Sequence, residues 1–349
     1  MKVGNFLFPE SRDPARDGAV IDETLAEARL SEALGFDAIW LAEHHFDGLC
    51  AYVDPVSFAA ALAVATERIK LGFAVAQTSL HHPVRLAEQL ALIDNLSKGR
   101  LIVGLGRGTA YNIYDYNGYG IDPAEAQPRL EEAEQILFKL WGGEALTHHG
   151  RFWDIRVPML RPRPYTAEAP VIRAASGEAS MVELARQGRP FLMNVQSNEV
   201  TRHRIDLYCR TLREQGFDDA AVAQRLDASW AWRNVVVADT DAEARRVGVP
   251  AFEAMQVQRA AMRERIYAET GERLDTASPT PAVRTVVEHA LIFGSPATVA
   301  EALSKVAATG IGGLIMQFRL GPMPHEVAER SLTLFMQQVR PALRARAIG

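Results

Sequence analysis

Glu43-His44-His45 places a carboxylate beside two imidazoles. A histidine can move a proton near neutral pH, and a neighbouring carboxylate can fix its tautomer or raise its pKa. The bland alternative is one histidine as a hydrogen-bonded packing residue with Glu43 as its salt-bridge partner. Adjacent histidines can also bind metal, but no H-E-x-x-H spacing or other compact ligand set accompanies them, so no metal is expected. Further along, Gly104-Leu105-Gly106-Arg107-Gly108-Thr109 combines glycines that let backbone approach a ligand with a guanidinium that can clamp an anion. Its spacing is not the G-x-G-x-x-G of a dinucleotide fold. Ala175-Ser176-Gly177-Glu178-Ala179-Ser180 opens a helical stretch, where free N–H groups and two hydroxyls suit a phosphate, although Ser176 could serve as a plain helix cap. A basic glycine loop and a serine-rich helix start together can hold one phosphate from two sides. Phe6, Phe46, Ala74, Val75 and Tyr111 could wall a slot for a flat ring or belong to the core.

These residues need elements to carry them. Short apolar, β-branched runs at 2–8, 37–42, 69–76, 101–105, 170–174, 190–194, 231–238 and 313–318 predict strands. Helical periods fall between them at about 20–34, 55–66, 83–96, 124–141, 178–187, 199–215, 240–268 and 324–340, with one more at 296–308. Alternating βα units of this number predict an α/β fold, a closed (β/α)8 TIM barrel with inserted loops, treated as one domain over 1–349. Gly35 ends the first helix, and Asp54-Pro55 and Asp122-Pro123 each set a capping residue before a first-turn proline. Insertions are expected at about 143–169, as a hairpin or long loop, and at about 255–283, a mobile lid or an ordinary surface loop. In such barrels chemistry gathers at the C-terminal ends of the strands, where Glu43-His44-His45 and Arg107 fall.

Composition limits the partners. With 48% hydrophobic residues the chain can bury a large core, and a formal charge of −5, well mixed, offers no footprint for nucleic acid or an anionic membrane. No apolar window is long enough to span a bilayer, the N-terminus reads as a strand, and two distant cysteines suit a reducing compartment. A cytoplasmic enzyme acting on a small molecule is the expectation.

The order of motifs resembles the bacterial luciferase-like flavin monooxygenases, above all the luciferase α subunit. The resemblance runs through Met1-Lys2-x-Gly4-Asn5-Phe6, Gly35-Phe36-Asp37, Trp40-Leu41-x-Glu43-His44-His45-Phe46, His82-Pro83-Val84-Arg85, Ser97-Lys98-Gly99-Arg100, Arg107-Gly108, Ala174-x-Ser176 and Ala308-Thr309-Gly310-Ile311. It implies reduced FMN (FMNH2) reacting with O2 to a flavin hydroperoxide that oxidises an aldehyde, ketone or related substrate. It implies His44 as catalytic base or acid with His45 in support, and Asp115 as an aspartate near the site. It implies Arg107, Ser176 and the backbone at Ala175 and Gly177 around the FMN phosphate. Ser180 lies near a family hydroxyl position, Thr109 joins the loop, and a two-residue insertion places Arg129 where the family has a second arginine. Ala74-Val75 corresponds to a pair joined by a cis peptide under the flavin ring. Gly106 replaces the reactive cysteine of luciferase, so light emission is not expected. The resemblance also implies an NAD(P)H:flavin reductase as partner, and a homodimer through the helices at 55–66 and 83–96. Two other readings keep the barrel: a deazaflavin-dependent hydride-transfer enzyme, and a non-catalytic partner subunit.

Overall fold

The computed structural model describes residues 1–108, 112–166, 170–175, 177–271 and 290–346. Its strands are β1 (Lys2–Leu7), β2 (Ala38–Leu41), β3 (Lys70–Phe73), β4 (Ala76–Gln77), β5 (Leu101–Gly106), β6 (Leu146–His149), β7 (Asp154–Val157), β8 (Val171–Ala175), β9 (Phe191–Met193), β10 (Trp230–Val237), β11 (Leu291–Gly294) and β12 (Gly313–Gln317). The sequence β1-β2-β3-β5-β8-β9-β10-β12 pairs in parallel throughout and β12 returns to β1, closing an eight-stranded barrel. The expected (β/α)8 fold is the observed one.

The helices that cover it are α1 (Asp17–Leu34), α2 (Pro55–Ala65), α3 (Pro83–Ser97), α4 (Ile113–Gly118), α5 (Ala126–Trp141), α6 (Glu178–Arg186), α7 (Asn198–Glu214), α8 (Asp219–Asp227), α9 (Asp241–Thr270), α10 (Pro296–Ala307) and α11 (His325–Leu334). Their ends follow local chemistry. Asp54 accepts from the Val56 and Ser57 amides before Pro55, and Gly35 closes α1 at φ 85°.

Two tryptophans fill the floor of the barrel. Trp40 and Trp230 meet edge to face with centroids 4.9 Å apart. A Cβ at Gly4 or Gly72, on the strands either side of β2, would stand 2.4 or 2.5 Å from the Trp40 indole, and one at Gly313 2.4 Å from Trp230. The glycines therefore make the room that the indoles occupy. Ile102, Ile172, Leu192 and Ile315 complete this layer, and Phe8, Val75 and Trp232 pack above it toward the mouth.

Several elements differ from expectation. The predicted strand 69–76 is interrupted: a cis peptide at Ala74-Val75 separates β3 from β4, and both pieces pair with β5. β11 was not predicted, because four apolar residues carry no decisive period; it pairs with the C-terminal half of β10, outside the barrel circuit. Neither α4 nor α8 was predicted, although Asp218 caps α8 by accepting from the Ala221 amide. The insertion at 143–169 contains the antiparallel β6–β7 hairpin. In the other insertion α9 continues through 255–270, and residues 272–283, on which the lid reading falls, lie outside the described residues. Among the described residues no helix is long and apolar enough to cross a membrane.

A Cβ at Gly104 would lie 1.6 Å from the Phe73 carbonyl oxygen, a contact with backbone that no rotamer change relieves. Gly104→Ala is therefore expected to lower unfolding free energy by about 3 kcal/mol or more, the upper range for overpacking, measured by urea denaturation.

Candidate active site

The loop after β2 carries Glu43, His44 and His45 at the barrel mouth. Glu43 is buried and accepts from three donors: His45 Nε2 at 2.9 Å, His81 Nε2 at 2.9 Å and the Gln77 amide at 2.6 Å. Burial alone would raise its pKa. The His81 charge, the two imidazole hydrogen bonds and the Gln77 N–H outweigh burial and hold it at about 2. The same contacts act in reverse on the rings. Burial opposes charging His45 and His81, but the bond to Glu43 keeps both pKa values above the ordinary 6.5. The carboxylate of the motif thus serves His45 and His81 rather than His44.

His44 is in a different environment. Its side chain keeps 32% of its surface exposed, its ring meets Phe8 edge-on at 5.0 Å, and Asp47 lies 3.8 Å from Nδ1. Burial lowers its pKa, against the pull of Asp47 and Asp115, so the neutral ring is favoured at neutral pH. Asn112 Nδ2 stands 3.4 Å from His44 Nδ1 and donates to Asp115 Oδ2 at 2.7 Å. Asp115, on α4, also accepts from Gln77 Nε2 at 2.5 Å and from the His45 amide at 3.2 Å. Burial raises its pKa. Glu43, His44, His45 and Asp115, picked out from the sequence, are therefore brought together by direct bonds or through one amide side chain.

His81, Gln77 and Asn112 were missed. Signals existed: His81 directly precedes the His82-Pro83 motif, and Asn112 stands three residues before Asp115, on one helical face. Among the described residues no group of three His, Cys, Asp or Glu side chains is arranged to hold a metal.

The glycines at the end of β5 and just beyond it are closely packed by protein: a Cβ at Gly106 would sit 2.7 Å from the Val75 side chain, and Gly108, at φ 75°, lies against Gln77 and Asn112. The cis Ala74-Val75 unit is pressed against β5 as a result. Arg107 follows with an exposed side chain that makes no ion pair among the described residues, while its carbonyl accepts from Tyr116 Oη at 2.5 Å. β8, the neighbour of β5, ends at buried Ala175; Gly177 then caps α6, and Ser180 Oγ accepts from the Gly177 amide at 3.2 Å. Ser180 is thus engaged in capping. Arg129 is bonded to Glu125 at 2.8 Å and stacked 4.6 Å from the Phe152 ring of the hairpin, so it is not an unpaired cation. Thr109, Tyr111 and Ser176 lie outside the described residues.

A family model described as luciferase-like monooxygenase matches residues 1–312. The chain belongs to that family. It is 29% identical over 243 residues to limonene 1,2-monooxygenase of Rhodococcus erythropolis, covering 69% of this chain and 62% of that relative. The match thus spans somewhat less than two thirds of the relative's length. Among solved structures, a monooxygenase from Streptomyces bottropensis is 26% identical with a TM-score of 0.82, covering 98% of this chain and 99% of the other. The oxygenating constituent of 3,6-diketocamphane monooxygenase from Pseudomonas putida, in complex with FMN, shares the fold at 21% identity and a TM-score of 0.78, covering 98% of each chain.

A depressed carboxylate pKa stabilises the folded state above the ordinary value of 4.5, and that contribution disappears as pH falls toward about 2. The raised histidines contribute below 6.5 and lose their effect as pH rises through their folded values. Glu43→Gln is expected to lower stability by on the order of 3 kcal/mol at pH 6 and to flatten the acid limb between pH 4.5 and 2, read by chemical denaturation across pH.

Proposed function

We propose that this chain is the oxygenase component of a two-component flavin monooxygenase, taking reduced FMN from a separate NAD(P)H:flavin reductase and oxidising a small organic substrate with O2. The observation that carries the reading is the exposed Arg107 guanidinium at the end of β5, beside the β8 end and the start of α6. A phosphate there meets a cation and a helix N-terminus together. The Val75 ledge fits a flat ring: it is held against Gly106 and joins Phe8 and Trp232 above the barrel floor. Bound there, reduced flavin would supply the electrons that activate O2 for insertion of one oxygen atom.

The remaining tasks belong to the chain. Arg107 and the backbone at Ala175 and Gly177 anchor the phosphate, and Ser180 fixes the helix start that receives it; Thr109 and Ser176, outside the described residues, are assigned to the same task on the family resemblance alone. Phe6, Phe8, Val75 and Trp232 form a water-poor wall. Asn112 Nδ2 aimed at His44 Nδ1 favours the neutral tautomer with its proton on Nε2, so Nε2–H is the donor toward the mouth and Nδ1 the atom that takes up a proton. Glu43, His45 and Asp115 hold the loop that presents it. Arg129 acts at a distance, by fixing α5 to the hairpin. The whole of 1–349 is read as one barrel domain.

A homodimer is part of the proposal. α2 carries no charged residue, yet Val64 is 72% exposed, and Leu92 of α3 is 49% exposed on the neighbouring helix. Apolar surface of this kind suits a partner helix pair. Val64→Glu combined with Leu92→Glu is expected to shift sedimentation from dimer to monomer with the barrel's circular dichroism unchanged; an unaltered sedimentation coefficient would remove these helices from the interface.

Oxygen uptake coupled to a flavin reductase tests the activity. His44→Ala should lower turnover by roughly 10²–10⁴ while the Kd for reduced FMN stays within about threefold. Arg107→Ala should raise that Kd roughly tenfold, measured anaerobically by fluorescence. Loss of flavin binding in His44→Ala, with turnover per bound flavin unchanged, would refute the assignment.

A further inference from the structure

The second half of α9 reaches from one side of the barrel mouth to the other. Near its middle, Ala251, Phe252 and Met255 pack with Leu320 and Met323 of the segment that follows β12. At its far end it meets α4, in the segment that follows β5: Tyr114 Oη donates to Glu269 Oε2 at 2.6 Å. At about 1.5 Å per residue the helix covers roughly 21 Å between Met255 and Glu269. Around the barrel, β1, β2 and β3 lie between β12 and β5. A helix joining those two points crosses above the ends of β1 and β2, where Phe8, Glu10 and His44 stand. The charges agree with this course, since Arg259 of α9 acts on both Glu10 and His44. Ile266, on the same helix face as Arg259, is fully buried, while Glu264, Arg265, Tyr267 and Ala268 around it are exposed.

The two sides of the Tyr114 contact are not held equally. α4 is fixed from within: Asp115 accepts from Asn112, Gln77 and the His45 amide, and Tyr116 Oη donates to the Arg107 carbonyl. Beyond Met255, in contrast, Ile266 is the one buried residue among those described in α9. The contact with α4 therefore decides where this end of the helix rests. Arg265 reinforces it, donating through Nε to Glu269 Oε1 at 3.1 Å and standing 5.3 Å from the centre of the Tyr114 ring. Tyr114 and Arg265 together hold the Glu269 carboxyl below its usual range, so it is charged at neutral pH.

We propose that Tyr114 is a positioning residue: with Glu269 and Arg265 it pins the end of α9 to α4 and so keeps the helix across the mouth as a cover for His44. The cover acts on His44 in a definite direction. Burial lowers the His44 pKa, Asp47, Asp115 and Glu43 pull it up, and Arg259, carried by α9, pushes it down. Releasing the helix admits water and withdraws Arg259, and both changes raise the pKa toward the ordinary 6.5. The pin stands apart from the flavin reading, and its test needs no flavin.

Hydrogen–deuterium exchange of the full chain, with an NMR titration of its histidines, provides that test. Tyr114→Phe and Glu269→Ala are each expected to speed amide exchange in residues 262–270 about two- to fivefold, the effect of one exposed charge-assisted bond, with the barrel strands unchanged. Alanine is the better helix former, so faster exchange in Glu269→Ala reports the lost contact and not a weaker helix. The double variant should exchange no faster than the faster single one, because both changes remove the same bond. The His44 resonance, identified by its loss in His44→Gln, should titrate at higher pH in both single variants than in the parent chain. Exchange at 262–270 that neither substitution alters, additive effects in the double variant, or a His44 titration that does not move upward overturns the proposal.

Discussion

One carboxylate organises the mouth of this barrel. Glu43 gathers two imidazoles and a backbone amide from the segments that follow β2 and β3, and Gln77 and Asn112 extend the network through Asp115 to His44. A buried charge with this many donors stays ionised, and by staying ionised it sets the charge of its partners. The result is a division among three neighbouring histidines. His45 and His81 lean toward the charged form and hold the architecture, whereas His44, beside Phe8 and away from Glu43, leans toward the neutral form a proton-transfer group needs.

The barrel itself was legible because its signals are local and repeated: short apolar runs, helical periods and caps such as Asp54-Pro55. Glu43-His44-His45 and Arg107 were legible because they follow strands directly. What escaped depended on contacts between segments distant in sequence. Nothing about His81 as a residue type says that it shares a carboxylate with His45, and the glycine pattern running from β5 into the following loop does not reveal that it packs against Phe73, Val75, Gln77 and Asn112. The division of β3 and β4 was legible only by resemblance, since an apolar run reads the same through a cis peptide.

Electrostatics differ between the two sides of the mouth. On the side of β2 and β4, the buried Glu43 carboxylate is bonded by His45, His81 and the Gln77 amide. Beyond the ends of β1 and β12, Arg12 pairs with Glu10 while Arg16 and Arg319 share Glu23; at the end of β5 the Arg107 side chain is exposed and makes no ion pair among the described residues. Well-paired charges make rigid structure, while an exposed guanidinium raises the local potential felt by an anion, so anchoring the histidines and presenting a cation fall to different strands of one barrel face.

The interlock of Trp40 with Gly4 and Gly72, and of Trp230 with Gly313, has a consequence for how such a barrel can change. None of the three glycines can acquire a side chain while its indole keeps its size and place. The reverse substitution is sterically open: a smaller residue at position 40 or 230 would free space directly beneath the upper layer of Phe8, Val75 and Trp232. The space beneath the mouth is therefore set by two buried floor positions, and substitution there would enlarge it from below without altering a single group at the rim.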